Sequence, residues 1–306
     1  MMKVDYAIVV KNKTRLELLI EKFNTKAQAQ FYIERQGASF DDYITEHDTF
    51  QRSFESVLSQ LTKVIKFKVL ERAYLPNYIF SDNQVIVVVG QDGLVANTAK
   101  YARGRPIIGV NPDVGRFDGI LLKFNTSNFV RAISDVIRES YKRDIYHFAR
   151  AALNDGQSLI AFNDLFIGSA SHTSARYRIS YVDKQEEHSS SGIIVSTRAG
   201  ATGWLKSIYN MANGIIRNSN RQNVLPTPRV KNDELLFVVR EPFDSLRTQC
   251  GITVGCINKK NELLLESFMP TSGVIFSDGI ESDSLKFNSG SIARISVTKE
   301  IAEIVL

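Results

Sequence analysis

The sequence predicts two structural portions: an N-terminal, Rossmann-like α/β domain with a parallel sheet, and a C-terminal β-rich domain of sandwich-like type. Three observations carry this. In residues 1–127 unbroken apolar strands alternate with stretches of helical periodicity, the pattern of a parallel sheet covered on both faces. From residue 128 to about 290, short strands divided by Gly, Asn, Asp and Ser turns take over. A length of 306 residues suffices for two cores of ordinary size.

Taken in order, "YAIVVK" reads as a buried strand, and Thr14-Arg15-Leu16-Glu17 after it as a capping box that starts a helix. Phe50, Phe54, Val57, Leu58, Leu61 and Val64 recur at helical spacing, so "FQRSFESVLSQLTKV" is predicted to be an amphipathic helix. "KFKVLE", "QVIVVVG" and "RPIIGV" follow as strands. "FVRAISDVIRESYKRDIYHFAR" is predicted to be one long helix. Beyond it, "DLFIGS", "RYRISYV", "GIIVST", "ELLFVVR", "GITVGCI", "ELLLES", "GVIFSD", "SLKF" and "SIARISV" read as strands. One helix, "GWLKSIYNMANG", interrupts them and is expected to close at Gly214. "RNSNRQNVLPTPRVKND" reads as a surface loop, and residues 291–306 as a C-terminal tail.

Composition narrows the function. With 43% hydrophobic and 23% charged residues the chain reads as soluble and globular, and no apolar run is long enough to span a bilayer. The net charge of +5 is spread out rather than clustered with aromatics, which argues against a nucleic-acid partner and suits small anionic ligands. Neither a signal nor a transit pattern opens the sequence, so the expectation is cytoplasmic. Cys250 and Cys256 are too few for a disulfide framework, and His47, His147, His172 and His188 share no metal-ligand spacing. "SDGIESDS" reads as a hairpin turn.

The chemistry-bearing stretch is "VVVGQDGLVANTAK". A parallel strand that ends in Gly90-Gln91-Asp92-Gly93 before a helix places backbone N–H groups at the carboxyl edge of a sheet, where anionic ligands gather. It is neither G-x-G-x-x-G nor a Walker loop. An Asp inside a phosphate cradle suits phosphoryl transfer, in which it orients a hydroxyl and helps to hold Mg²⁺; the bland reading is a D-G turn. Three further segments bear on the choice. Asn163-Asp164 in "FNDLFIGS" suits the two hydroxyls of a ribose or forms an Asx turn. "SSGIIVSTRAGATGW" is a strand, a turn of small residues and a helix start. "RPIIGVNPDVGRFDG" is a strand followed by a Gly/Asn/Asp loop.

These four segments, in this order, resemble the NAD kinase family, and most of all its mitochondrial-type branch and the bacterial relatives of that branch. The family's G-G-D-G motif is matched by Gly90-Gln91-Asp92-Gly93, its "GIN…G" loop by Gly109-Val110-Asn111 with Gly119, its Asn-Glu motif by Asn163-Asp164, and its Gly-Ser-Thr-Ala turn by Gly200-Ala201-Thr202-Gly203 with Trp204 behind it. Ser191-Gly192, "VVREPF" and "FNSGSIARISV" also look like that branch.

The resemblance implies Mg²⁺-dependent transfer of the γ-phosphoryl of ATP, with polyphosphate as another donor, to the 2′-hydroxyl of the NAD adenosine ribose. It implies Asp92 as the catalytic residue, and Gly93, Asn163, Asp164, Ser191, Thr197, Ala199, Thr202, Gly203 and Trp204 around NAD. Gly90, Gln91, Asn111, Arg116 and Arg198 would lie toward ATP or phosphate, with Arg240 a further phosphate candidate. It also implies a tail that returns to the first domain and a homodimer or homotetramer.

Gln91 replaces a family glycine, at a cost of roughly 1 kcal/mol if the position takes positive φ. Trp204 replaces a tyrosine and keeps a stacking face. Two rival readings are a related lipid or sugar kinase, which shares a Gly-Asp-Gly turn, and an NAD- or NADP-binding module without catalysis.

Overall fold

The computed structural model describes residues 4–219 and 224–306, and the chain divides into two compact units. The first comprises residues up to Asp144 together with Ala302–Leu306, and the second Ile145–Ile301. The division therefore falls after Asp144, not at 127/128, and the tail that joins the first unit is Ala302–Leu306, not 291–306.

In the first unit β1 (Tyr6–Lys11) leads to α1 (Arg15–Phe23), α2 (Lys26–Arg35), α3 (Asp41–Leu61), β2 (Lys66–Glu71), β3 (Gln84–Val89), α4 (Asp92–Ala102), β4 (Pro106–Asn111), a short β5 (Phe124–Asn125) and α5 (Phe129–Ile137). β2, β1, β3 and β4 lie side by side and all parallel. All six residues of β3 and the middle four of β1 are buried, as unbroken apolar strands require when helices cover both faces. α3 and α5 supply one cover, with Phe54, Val57, Leu61, Phe129, Ile133 and Val136 packed on Val85, Val87 and Val89. The Thr14–Glu17 capping box forms as predicted.

The predicted long helix stops at Ile137. Glu139 takes φ 56°, and the Ser140 N–H donates to the carbonyl of Asp135, a Schellman-type closure that ends the helix. The chain continues as β6 (Arg143–Leu153), in which Ala149, Ala151 and Leu153 alternate into a core. Helical spacing was real only over Phe129–Val136.

The second unit contains the rest of β6, β7 (Ser158–Ala161), β8 (Asp164–Ser169), β9 (Ala175–Tyr181), β10 (Lys184–Ser190), β11 (Ile193–Ser196), α6 (Trp204–Asn218), β12 (Leu235–Val239), β13 (Val254–Ile257), β14 (Leu263–Ser267), β15 (Gly273–Ser277), β16 (Ile280–Lys286) and most of β17 (Ile292–Val305). One antiparallel sheet runs β13-β12-β11-β8-β15-β16, and another array runs β10-β9-β14-β17. Leu165, Ile167, Val195 and Phe237 of the first interleave with Tyr177, Ile179, Leu265 and Ile295 of the second, which makes a sandwich core.

α6 passes through Gly214 to Asn218 instead of closing there. A Cβ at Gly214 would meet nothing, so this glycine breaks no packing, and Ile215-Ile216 carry the helix on. In the loop predicted after it, 224–233 is mostly exposed and free of strand or helix, while 220–223 lie outside the described residues. β17 ends in the first unit, where Glu303 and Ile304 pair parallel with Pro106 and Ile107 of β4. Glu303 there bonds the Tyr141 hydroxyl and the Arg143 guanidinium (2.7 Å). No helix among the described residues is long and apolar enough to cross a membrane.

Candidate active site

In the first unit the candidate chemistry lies where β3 ends. Gly90 leaves the strand, Gln91 caps α4 and Asp92 is its first residue. Gln91 has φ −103° and ψ 164°, ordinary extended backbone, so the glutamine carries no left-handed strain here and the anticipated cost is absent. No side chain caps this helix start. The first-turn N–H groups are therefore left without a side-chain cap, and the one acidic residue of that turn is Asp92 itself. A Cβ at Gly93 would point into open space, so packing alone does not demand glycine there.

Asp92 is held by backbone. Its Oδ2 accepts from Ile120 N–H at 3.0 Å and its Oδ1 from Leu121 N–H at 2.7 Å. The loop that supplies these donors is itself fixed. Gly109 in β4 lets Leu121 lie directly on the strand, because a Cβ there would clash with the Leu121 carbonyl. Buried Asn111 donates to the Phe117 carbonyl (2.9 Å) and accepts from Asp113 N–H (2.9 Å). Arg116 binds Glu46 (2.7 Å) and Asp42, and Arg15 joins both carboxylates. Asn111 and Arg116, expected at a phosphate, are thus spent on the loop: the amide is buried in the turn, and the guanidinium is neutralised by α3.

Beside the turn, Gly90 and Gln91 line a small cavity of about 60 Å³ with Lys13, Glu46, Asp113 and Phe117. Charges of both signs line it, and Lys13 is paired with Glu21. Anionic phosphates would find little net positive charge there from side chains. Mg²⁺ suits such a place, since it is usually held by one or two carboxylates plus substrate phosphates. The carboxylates that line this cavity are Glu46 and Asp113; Asp92 lies at the same turn but not in the lining. An all-protein cage is a different matter: among the described residues no three His, Cys, Asp or Glu side chains gather.

In the second unit Asn163 and Asp164 form the corner between β7 and β8. The Thr197 N–H donates to the Asn163 carbonyl (2.9 Å) and the Thr197 hydroxyl to the Phe162 carbonyl (2.5 Å). That hydroxyl also accepts from the N–H groups of Ala199 and Gly200 at 3.1 and 3.2 Å. Gly200 lies so close to the Asn163 carbonyl that no Cβ fits. From the other side Asp278, in the β15–β16 turn, accepts from the N–H groups of Phe162, Asn163 and Asp164. Reading the segment around Asp278 as a hairpin was correct. Its second role had no sequence signal, because the turn and the corner are more than a hundred residues apart.

Asp164 Oδ1 is fully buried and has no hydrogen-bond partner. Burial pushes the carboxyl up to about 7; the nearby Ser196 hydroxyl opposes this, and the negative charge of Asp278 adds to it. Thr202 and Gly203 are exposed at the end of the adjoining 3-10 turn. Ser191 does not join this cluster. It precedes β11, whose other end carries Ser196 and Thr197, roughly 16–20 Å away along an extended strand. Trp204 is not a free stacking face either: its ring stacks on Phe166 at 6.0 Å and Arg240 sits over it at 5.6 Å. Arg240 thus packs on an aromatic ring, as does Arg198 over Tyr146 at 4.4 Å.

No family model matches the chain. Human mitochondrial NAD kinase 2 is 22% identical to it over 96% of the chain and 82% of its own length. An NAD kinase of Heliobacterium modesticaldum is 32% identical over 47% of the chain and 51% of its own length. Among solved structures, an NAD kinase from Archaeoglobus fulgidus in complex with ATP covers 98% of the chain at TM-score 0.56 and 15% identity, with 93% of its own length matched. Yeast NADH kinase complexed with NADH covers 99% at TM-score 0.59 and 13% identity, with 83% of its own length matched.

The chain is similar to NAD kinases along nearly its whole length. Its fold is the two-unit fold of the NAD kinases, with Asp92 on one unit and the Asn163–Asp164 corner on the other. Sequence reasoning missed the Ile120 and Leu121 donors to Asp92, since backbone groups leave no residue-type signature.

Proposed function

We propose that the chain phosphorylates NAD to NADP, transferring the γ-phosphoryl of ATP to the 2′-hydroxyl of the adenosine ribose. One observation carries the reading: a carboxylate fixed through both oxygens by backbone N–H groups, at the carboxyl end of a parallel strand and on an uncapped helix start. Phosphoryl transfer asks the protein for positioning and charge management more than for covalent chemistry. Each Asp92 oxygen accepts one N–H and keeps a lone pair, so Asp92 can orient the attacking hydroxyl and take its proton as the P–O bond forms. Gly93 leaves the backbone approachable for phosphates, while the Leu94 side chain fills the space a Cβ at Gly90 would take. Mg²⁺ on Asp92 and the donor phosphates would offset the negative charge that side chains leave unbalanced.

Asn163 and Asp164 would bind the hydroxyls of the other ribose, an amide donor beside a carboxylate acceptor. Thr197, Ala199, Thr202 and Gly203 surround that corner and its turn. Curated relatives named as NAD kinases support a dinucleotide acceptor over a lipid or sugar. The retained Asp92 arrangement supports catalysis over binding alone. Purified protein with Mg²⁺ is assayed with ATP or polyphosphate as donor and NAD or NADH as acceptor. NADP formation from ATP and NAD is expected. Binding of NAD with no phosphorylated product from any of the four combinations would reject the catalytic reading.

A further inference from the structure

We propose that Asp278 is a positioning residue for dinucleotide binding: its carboxylate fixes the backbone from Phe162 to Asp164 and so sets the direction of the Asn163 and Asp164 side chains. The inference rests on the NAD-phosphorylating reading above and concerns a residue outside the motifs that suggest it.

Asp278 and Gly279 are the two central residues of the β15–β16 turn, with Ser277 opposite Ile280 and φ values of 55° and 73°. Such two-residue hairpin loops take Asp-Gly or Asn-Gly about equally well. Turn chemistry alone therefore gives no reason for a carboxylate. The hydrogen bonds do. Oδ2 accepts from Phe162 N–H at 3.0 Å, and Oδ1 accepts from Asn163 N–H at 2.6 Å and Asp164 N–H at 3.3 Å, so both oxygens are acceptors at once. Only an ionised carboxylate offers two acceptor oxygens, and bonds to it are stronger than neutral ones. The Asp278 N–H returns a bond to the Asp164 carbonyl at 2.9 Å.

On the opposite side of the corner, Thr197 takes the carbonyls of Phe162 and Asn163. Between Asp278 and Thr197 the peptide groups of the corner are fixed before any ligand arrives. Asp278→Asn keeps the turn-forming residue type and the size, but turns one acceptor into an N–H₂ facing an N–H donor. It is therefore a selective perturbation.

Asp278→Asn is tested for KM(NAD), KM(ATP), kcat and NAD affinity by calorimetry, with Asp278→Glu as a second variant. The expected result is a KM(NAD) and Kd(NAD) raised about tenfold or more and a KM(ATP) within about twofold of wild type. Asp278→Glu, which restores the charge, should recover part of the loss. If Asp278→Asn does not fold, hydrogen exchange in the wild-type protein decides. The Asn163 and Asp164 amides should be as protected as those of β8 without NAD. Amides that become protected only when NAD is added would overturn the proposal. A wild-type protein that phosphorylates NAD while Asp278→Asn keeps its KM(NAD) overturns this inference alone. A wild-type protein that neither binds nor phosphorylates NAD overturns both.

Discussion

Replacing Asp164 by asparagine should flatten part of the pH dependence of stability. Burial and the neighbouring Asp278 raise the Asp164 carboxyl from 3.8 to about 7 in the folded protein. Between these values the folded state binds a proton that the unfolded state has released. Unfolding free energy from this group is therefore fully present below about pH 4 and is lost as pH rises toward 7. The whole span corresponds to about 4 kcal/mol, and the part between pH 5 and pH 8 to about 2–3 kcal/mol. An asparagine does not titrate and lacks this term. The chain's single tryptophan, Trp204, lies in the same unit, so urea unfolding followed by its fluorescence reads the right transition. Relative to Asp164→Asn, the wild type should lose about 2–3 kcal/mol from pH 5 to pH 8. Parallel curves for the two proteins would refute the buried, electrostatically disfavoured carboxylate.

Three further outcomes follow from particular contacts. Gly109→Ala should drive the Leu121 carbonyl off β4 and misplace the Asp92 donors, lowering kcat for NADP formation about tenfold or more while circular dichroism stays native. Gln91→Gly should change stability by no more than about 0.5 kcal/mol in thermal unfolding, because φ is −103° and glycine is an adequate cap; a gain of about 1 kcal/mol would expose hidden strain. Arg143→Ala removes the cation facing Glu303, whose side chain is 6% exposed. Since Arg143 is itself half exposed, the cost should be about 1–3 kcal/mol in urea unfolding of the first unit.

The α/β portion was legible because its signals are local and strong. "YAIVVK" and "QVIVVVG" can be buried only as strands covered on both faces, and the Thr14–Glu17 box specifies its own helix start. The errors came where one period imitates another. Phe129–Val136 is helical, but the following Arg143–Leu153 carries charges that masked its twofold alternation. β10, "KQEEHSS", shows almost no apolar residue to read, because its pairing with β9 supplies the reason for the strand. At the site the motif residues Asp92, Asn163 and Asp164 were legible by type. Their supports were not: Ile120, Leu121 and Asp278 act through backbone donors or across long sequence separations. Arg116 shows the converse, a basic residue in a promising loop whose charge belongs to α3.

The central claim, that Asp92 serves transfer of the γ-phosphoryl to NAD, is tested most directly with γ-³²P-labelled ATP, Mg²⁺ and NAD. Wild-type protein should place the label on the 2′-phosphate of NADP, and Asp92→Asn should slow that transfer about 10²–10⁴-fold while circular dichroism stays native. Labelled NADP formed by Asp92→Asn at near the wild-type rate would contradict the account.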